Sequence, residues 1–255
     1  MVLISIPLVF ASLVASSAAH GHVRKWRMNG KSYTTYEPYS QPDFKQPPKG
    51  IARFLGNGIN PMKDPLSPAM TCNVDSYPAP LMANVTAGST ITATWNSWPH
   101  VGPIYTYMSP CPNGRDCSDF LGTTSRTWFK IEEAGVVPYA YASSGLDWAT
   151  QIMYDAGNTW NITIPKCLSD GPYLIRHETM AIQDSNVLGG AQFYPQCAQV
   201  WISGGSATLD IGAVGVQLPG DIQPDDAGVL FDPRKPLTDY VYKAPGSRPI
   251  VCPSV

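Results

Sequence analysis

Residues 90–95 read Thr-Ile-Thr-Ala-Thr-Trp, a strict alternation of polar and apolar side chains. Because successive side chains of a strand point to opposite faces, this pattern predicts an antiparallel strand with one buried and one solvated face. Other segments rich in β-branched and aromatic residues, bounded by Gly or Pro, are also predicted as strands. The predicted strands span residues 85–95, 103–107, 160–164, 173–182 and 192–203.

Helical periodicity is nearly absent, and only residues 127–133 predict a single helical turn. The chain contains 22 Gly and 25 Pro, which suits short strands joined by many turns. The sequence therefore predicts an all-β protein, an immunoglobulin/fibronectin-III-like antiparallel β-sandwich. The irregular stretch 33–80 and the Pro-rich tail are predicted to be long loops that decorate its ends, where binding sites usually lie.

The first 19 residues predict a signal peptide. They are apolar from Val2 to Ala15 and end in Ser17-Ala18-Ala19, the small-x-small pattern that signal peptidase accepts. The apolar run is too short to favour a membrane anchor, and no later segment is long enough to span a bilayer. We therefore expect a secreted, extracellular protein, with residues 20–255 as a single domain.

The charge balance favours neutral partners. Charged residues make up 14% of the chain, and its formal net charge is −2. Such a surface offers no electrostatic footprint for nucleic acid or for an anionic membrane.

Six cysteines indicate three disulfides, because an even number in an exported chain is kept oxidised. Spacing alone leaves fifteen pairings open, although Cys111 and Cys117 are close enough in sequence to close a local loop. The sequons at Asn84 and Asn161 predict N-glycosylation on the same export route.

The adjacent acidic residues in the sequence do not predict the active site of a glycosidase. Glu132-Glu133 and Asp225-Asp226 are adjacent in sequence, so in an extended segment the two carboxylates face opposite ways. They do not form the facing acid and base that a glycosidase needs. Serine-hydrolase, phosphate-loop and dinucleotide motifs are also absent from the sequence.

The chain has only four histidines: His20, His22, His100 and His177. Cleavage after Ala19 would give His20 two nitrogen donors, its α-amine and its imidazole, and a second imidazole would complete a three-nitrogen plane that suits copper(II). An alternative uses His22, since an amino terminus with histidine in third position can bind copper through deprotonated backbone amides. For His177 the sequence favours a structural role in a strand.

Several motifs resemble the fungal lytic polysaccharide monooxygenases of auxiliary activity family nine. His20-Gly21-His22-Val23 followed by Met28-Asn29-Gly30 is similar to the mature start of that family, and His100-Val101-Gly102-Pro103 to its His-x-Gly-Pro segment. The block Gly190-Ala191-Gln192-Phe193-Tyr194-Pro195-Gln196-Cys197 and the tail from Tyr240 to Gly246 also resemble it. These motifs follow one another in family order along the whole mature chain. The resemblance therefore implies that residues 20–255 are a single catalytic domain without an appended carbohydrate-binding module.

The resemblance implies a copper site with one ion per chain. His20 and His100 would bind the metal, Tyr194 would occupy an axial position, and Gln192 would hydrogen-bond the oxygen co-substrate. The disulfide Cys72–Cys197 is implied in the same way; with Cys111–Cys117 as the local pair, Cys167–Cys252 remains.

One position departs from the family pattern. Seven residues after Arg176 the family usually has a histidine near the bound oxygen, and this chain has Gln183. A glutamine side chain forms hydrogen bonds but cannot carry a proton at neutral pH. The leading hypothesis is copper-dependent oxidative cleavage of β-1,4-glucan at C1 or C4, with cellulose as the expected substrate. The alternative is a copper- or polysaccharide-binding protein with weak or no turnover.

Exposed tyrosines predict contact with sugar rings, because aromatic faces stack on them. Tyr33, Tyr36 and Tyr242 are expected to lie in loops and to bind substrate. The implied partners are a polysaccharide surface, an external electron donor, and dioxygen or hydrogen peroxide; we expect a monomer.

Overall fold

A computed structural model describes residues 20–35, 37–38, 49–239 and 241–253. Eleven strands and three short helices lie within these residues. The strands are β1 (Val23–Met28), β2 (Lys31–Thr34), β3 (Ala83–Thr86), β4 (Thr90–Trp95), β5 (Ile104–Pro110), β6 (Phe129–Ala134), β7 (Val136–Pro138), β8 (Leu146–Trp148), β9 (Thr159–Thr163), β10 (Gly171–Ala181) and β11 (Gln192–Ser203). The helices are α1 (Ala149–Asp155), α2 (Ile211–Val214) and a 3-10 turn at Pro68–Met70.

Two sheets form the β-sandwich that the sequence predicts. One has the strand order β2-β1-β4-β9, and the other has the order β3-β11-β10-β5-β6. All pairs in these sheets are antiparallel except β3 with β11, which is parallel. Strands β7 and β8 form a separate hairpin.

The main core lies between the two sheets. The first sheet contributes alternate residues such as Trp26, Ile91 and Trp95, and the second contributes residues such as Ile175 and Val200, all at most 1% exposed. Alternation along β4 therefore buries the apolar half of Thr90–Trp95, as expected for a half-buried strand.

A second apolar cluster covers the other face of the five-stranded sheet. For this reason β10 is buried along its whole length, with no alternation in exposure. Arg176 and Glu178 lie on this strand, both 0% exposed, and the guanidinium donates to the carboxylate at 2.8 Å through Nη2. Arg176 Nε also donates to the carbonyls of Met70 and Thr71.

The predicted helical turn at 127–133 is wrong, because residues 129–134 form β6. Lys130 and Phe129 are both fully buried there, and Lys130 lies opposite Tyr107 of β5. The ammonium group donates to Glu133 Oε2 at 2.7 Å and to the Pro245 carbonyl at 2.8 Å. Sheet pairing and this buried ion pair outweigh the local helical preference of Lys and Glu.

The predicted strand 85–95 is interrupted by a turn. Strand β3 ends at Thr86 and β4 begins at Thr90, and Gly88 between them has a positive φ of 81°. Glycine adopts this conformation without steric cost. The two halves consequently belong to different sheets.

Three disulfides connect the loops to the sandwich. They join Cys72 to Cys197, Cys111 to Cys117 and Cys167 to Cys252. The first pair is the one that the family resemblance implies, the second is the expected local pair, and the third is the pair that remains. Within the described residues, no helix is long and apolar enough to cross a membrane.

Candidate metal centre

His20 lies just before β1, at a chain end held by side-chain amides. Asn96 Oδ1 accepts the His22 backbone N–H at 2.7 Å, and Asn96 Nδ2 donates to the His20 carbonyl at 3.4 Å. Gln196 Oε1 accepts the Val23 N–H at 2.7 Å. These bonds attach the backbone of residues 20–23 to both sheets.

Gly21 allows this segment to approach the loop after β4. A Cβ atom at Gly21 would lie 2.8 Å from Asn96 Oδ1 and 2.8 Å from the Trp98 ring, closer than van der Waals contact permits. The glycine between the two histidines therefore has a packing reason, which the sequence alone does not reveal.

His100 is positioned by the loop between β4 and β5. The Ile182 N–H donates to the Val101 carbonyl at 3.3 Å, and the Thr150 N–H donates to the Gly102 carbonyl at 3.1 Å. The end of β10 and the start of α1 thus hold the two residues that follow His100.

His20, His100 and Tyr194 converge at one end of the sandwich. The ring centres of His20 and His100 are 6.3 Å apart, and those of His20 and Tyr194 are 6.0 Å apart. Metal–imidazole bonds are about 2 Å long, so two imidazoles on opposite sides of one ion have ring centres about 6 Å apart. The observed spacing fits a shared ion.

The protonation states also suit a metal. Burial, followed by the proximity of His100, lowers the pKa of His20, so its imidazole is readily available as a neutral ligand. Burial raises the pKa of Tyr194 well above its ordinary value, which keeps the phenol neutral. Two nitrogen rings, a prospective amine and a neutral phenol are donors appropriate to tetragonal copper(II).

Within the described ranges, no cluster of three His, Cys, Asp or Glu side chains forms a metal site. The arrangement around His20 and His100 is of a different kind, because its third nitrogen would come from the backbone amine released at His20. Side chains alone would therefore leave the three-nitrogen ligand set incomplete.

Gln192 and Tyr194 share one face of β11, as their spacing predicts. The Tyr194 hydroxyl donates to Gln192 Oε1 at 3.0 Å. The amide oxygen is thereby engaged, and the Nε2 group remains as the donor end of the side chain.

Trp98 also belongs to this site, although the sequence did not indicate it. It is 1% exposed, and its ring meets Tyr194 edge-on at 4.7 Å and His100 edge-on at 5.6 Å. Its position two residues before His100 is the only sequence signal for this packing role.

Gln183 lies in the turn just after β10 and is exposed. The register of β10 and β11 pairs Ala181 with Gln192, and the intervening Ile182 is hydrogen-bonded to the loop of His100. Gln183 is therefore at the same end of the sheet as His100.

The environment of His22 argues against the alternative copper site, in which His22 and deprotonated backbone amides would bind the metal. Its backbone N–H is engaged by Asn96, and its ring, which is 3% exposed, lies 3.4 Å from the Glu37 carboxylate. Burial, with a smaller contribution from Arg24, lowers the pKa of His22 to about 4. A buried neutral ring with an occupied backbone amide has a packing role.

His177 is likewise structural. It is fully buried, its Nδ1 lies 2.9 Å from the Thr106 hydroxyl, and its Nε2 accepts the Trp95 indole N–H at 3.3 Å. Both ring nitrogens are used inside the core, far from solvent.

The predicted substrate tyrosines occupy different environments. Tyr33 lies in β2 opposite Trp26 and packs against the main core, so the expectation that it lies in a loop is wrong. Tyr242 is half-buried, and its hydroxyl bonds to the Tyr105 hydroxyl at 2.6 Å and to the Gly228 carbonyl at 2.9 Å. Tyr36 lies outside the described residues.

Both sequon asparagines are exposed on strands, Asn84 on β3 and Asn161 on β9. The Thr92 hydroxyl donates to Asn161 Oδ1 at 2.8 Å, which leaves the amide nitrogen of Asn161 unused by this bond.

Comparison with known proteins identifies the family. The model of Auxiliary Activity family 9 (formerly GH61) matches residues 20–242. AA9 family lytic polysaccharide monooxygenase A from Gloeophyllum trabeum is 38% identical over 229 residues, which cover 87% of this chain and 69% of that relative.

Solved structures agree with this match. The crystal structure of HiLPMO9B is 36% identical with a TM-score of 0.77, covering 90% of this chain and 98% of that one. A cellulose-active polysaccharide monooxygenase from M. thermophila is 30% identical with a TM-score of 0.76, covering 91% and 99%. The chain therefore belongs to Auxiliary Activity family 9, the copper-dependent lytic polysaccharide monooxygenases.

Proposed function

We propose that this protein is secreted, loses residues 1–19, and uses copper to cleave β-1,4-glucan oxidatively by hydrogen abstraction at C1 or C4. Cellulose is the proposed substrate, and one of the solved relatives is described as cellulose-active. The observation that carries the proposal is the His20–His100 ring spacing of 6.3 Å beside Tyr194.

His20 and His100 would hold one copper ion, with the amine of His20 as the third nitrogen. When bound, copper would supply one-electron redox chemistry with dioxygen or hydrogen peroxide, and an external donor would provide the electron. Tyr194 stays protonated beside the site, because burial raises its pKa. Its hydroxyl orients the Gln192 amide so that Nε2 can donate to an incoming oxygen co-substrate.

The exposed surface around the histidines would receive the polysaccharide. Tyr33, Tyr36 and Tyr242 remain the proposed substrate contacts. Tyr33 and Tyr242 are both half-buried, and each packs against a core cluster. N-glycosylation is proposed at Asn84 and Asn161, which are both exposed.

Gln183 supports a second candidate function: a copper- or polysaccharide-binding protein with weak turnover. The residue is exposed at the metal end of the sheet, where a titratable histidine would be able to transfer a proton and glutamine cannot. The two candidates share the copper site and differ only in rate.

Product analysis separates these functions. Copper-loaded protein beginning at His20 is incubated with cellulose, a reductant and hydrogen peroxide, and soluble products are analysed by mass spectrometry. We expect oxidised oligosaccharides from the parent and none from His100→Ala. A parent that binds copper but releases no oxidised product from cellulose or other β-glucans would leave only the binding function.

A further inference from the structure

The outer face of the four-stranded sheet carries two cations and no acidic residue. Alternation along β1 buries Trp26 and Met28 and points Lys25 and Arg27 to solvent, about 7 Å apart along the strand. None of the strands β2, β1, β4 and β9 contains an Asp or a Glu. Within the part of the chain that the structure describes, neither Lys25 nor Arg27 forms an ion pair. The sheet therefore leaves both charges uncompensated.

Each of these cations has a hydroxyl residue on either side, in the neighbouring strands. The flanking residues are Thr34 and Thr94 beside Lys25, and Ser32 and Thr92 beside Arg27. Directly opposed residues of antiparallel strands lie about 5 Å apart. A molecule that contacts one of the cations therefore also comes within reach of hydroxyl groups, which both donate and accept hydrogen bonds.

This composition indicates the class of partner. The exposed residues of β1, β2 and β4 include no aromatic or apolar side chain. The face therefore lacks the stacking rings with which proteins hold single-stranded nucleic acid and the apolar groups that enter a membrane surface. The net charge of the whole chain is −2, so attraction to an anion has to come from this local patch. An anionic polymer rich in hydroxyl groups matches both the charge and the hydrogen-bonding groups.

We propose that this face binds an acidic polysaccharide, a chain of sugar rings that carries carboxylate groups. Lys25 and Arg27 would pair with the carboxylates, and the flanking Thr and Ser residues would hydrogen-bond the sugar hydroxyls. The inference goes beyond the proposed function, because this ligand is not the β-1,4-glucan that is cleaved. The face forms one side of the sandwich, whereas His20 and His100 lie at its end, so both polysaccharides could be bound at once.

Calorimetry with polygalacturonate at low ionic strength tests this proposal. Copper is removed with a chelator, so that no metal bridges protein and polymer. An N-glycan at Asn161 would stand on β9 of the same face, so the protein is first trimmed with an endoglycosidase. We expect the parent to bind polygalacturonate but not its fully methyl-esterified form, which keeps the sugar chain and lacks the charges. Added salt should weaken the binding.

Variants assign the binding to the two cations. Lys25→Gln and Arg27→Gln should each raise the dissociation constant about fivefold, and the double variant at least about 20-fold, because each removes one charge pair in contact with water. The matched control is Lys63→Gln/Arg115→Gln, which should bind like the parent. Both of its residues are exposed, Lys63 beside the bridge from Met62 to β11 and Arg115 in a disulfide loop after β5.

The thermal midpoint of each variant should match that of the parent, since both side chains are exposed. No binding by the parent, or parent-like binding by Lys25→Gln/Arg27→Gln, would overturn the proposal. Equally tight binding of single-stranded DNA, or of vesicles that contain phosphatidylserine, would overturn it too, because charge alone would then explain the affinity. The calorimetry uses copper-free protein, whereas the proposed function is tested by product release from cellulose, so either can fail without the other.

Discussion

The Tyr194 hydroxyl donates to Gln192 Oε1 at 3.0 Å, across two residues on one face of β11. This contact sets which end of the Gln192 amide is free, since the oxygen is engaged and the nitrogen is not. The amide nitrogen can therefore act as a donor near the proposed metal site, provided that Tyr194 keeps its proton. Burial of the phenol ensures this by raising its pKa.

Tyr194→Phe should lower the rate of oxidised-product release about tenfold, because loss of one orienting hydrogen bond allows the Gln192 amide to rotate. Copper affinity should change by less than about threefold, since both histidines remain. Tyr173→Phe is a matched control, because its hydroxyl bonds to the Ser169 carbonyl at the start of β10. Full activity in Tyr194→Phe would show that the amide needs no such orientation.

Gln183→His should raise product release by about tenfold or more, within the range that acid–base catalysis contributes. The residue lies at the metal end of β10, so a histidine there would introduce a group that titrates near neutral pH. The rate is measured at fixed copper loading with peroxide as co-substrate. An unchanged rate would show that Gln183 does not limit turnover.

Glu178→Gln should destabilise the protein by about 3–5 kcal/mol, because it leaves the Arg176 guanidinium buried without its counter-ion. The measurement is the free energy of unfolding from denaturant titration. Asp232→Asn removes an exposed ion pair with Arg234, whose side chains are 37% and 73% exposed. This substitution should change the free energy of unfolding far less, because solvent screens the pair. Equal effects of the two substitutions would contradict the burial argument.

The buried carboxyl group of Glu132 should make the free energy of unfolding depend on pH. Burial raises its pKa to about 7, opposed by the hydrogen bond from the Thr106 hydroxyl. The folded state therefore holds the proton more tightly than the unfolded state, and this contribution is complete below about pH 4.5 and is lost as the pH rises to about 7. Its size is up to about 3 kcal/mol.

Glu132→Gln, which is neutral throughout, should lose less stability than the parent between pH 5 and pH 8. Glu133→Gln provides the control, because Glu133 pairs with Lys130 and Arg248 and its removal should not flatten the profile. Parallel profiles for Glu132→Gln and the parent would show that Glu132 titrates normally.

Elements with a clear local sequence pattern could be predicted, whereas elements without such a pattern could not. The termini of β11 match the predicted strand, and β10 differs by only one or two residues at each end, since β-branched and aromatic residues bounded by turns define both. β1 and β2 were not predicted, because Lys25 and Arg27 occupy the solvated face of β1 and most of β2 is exposed. α1 was also missed, since its seven residues are too few for a clear helical period.

The residues of the site likewise fall into a group that sequence motifs predicted and a group that they did not. His20, His100, Gln192 and Tyr194 were identified through motifs, and the fold brings all four together. Trp98, Asn96 and Gln196 act through packing and hydrogen bonds between distant segments, with separations of up to 173 residues. No local pattern indicates such contacts.

The central claim is that the amine of His20 completes the copper site. The most direct test compares protein that begins at His20 with protein that retains Ala19, using copper titration and electron paramagnetic resonance. We predict tight binding of one copper with three nitrogen ligands in the first protein, and at least about 100-fold weaker binding with an altered spectrum in the second. Equal affinity and identical spectra would contradict the account, because the metal would then not use the terminal amine.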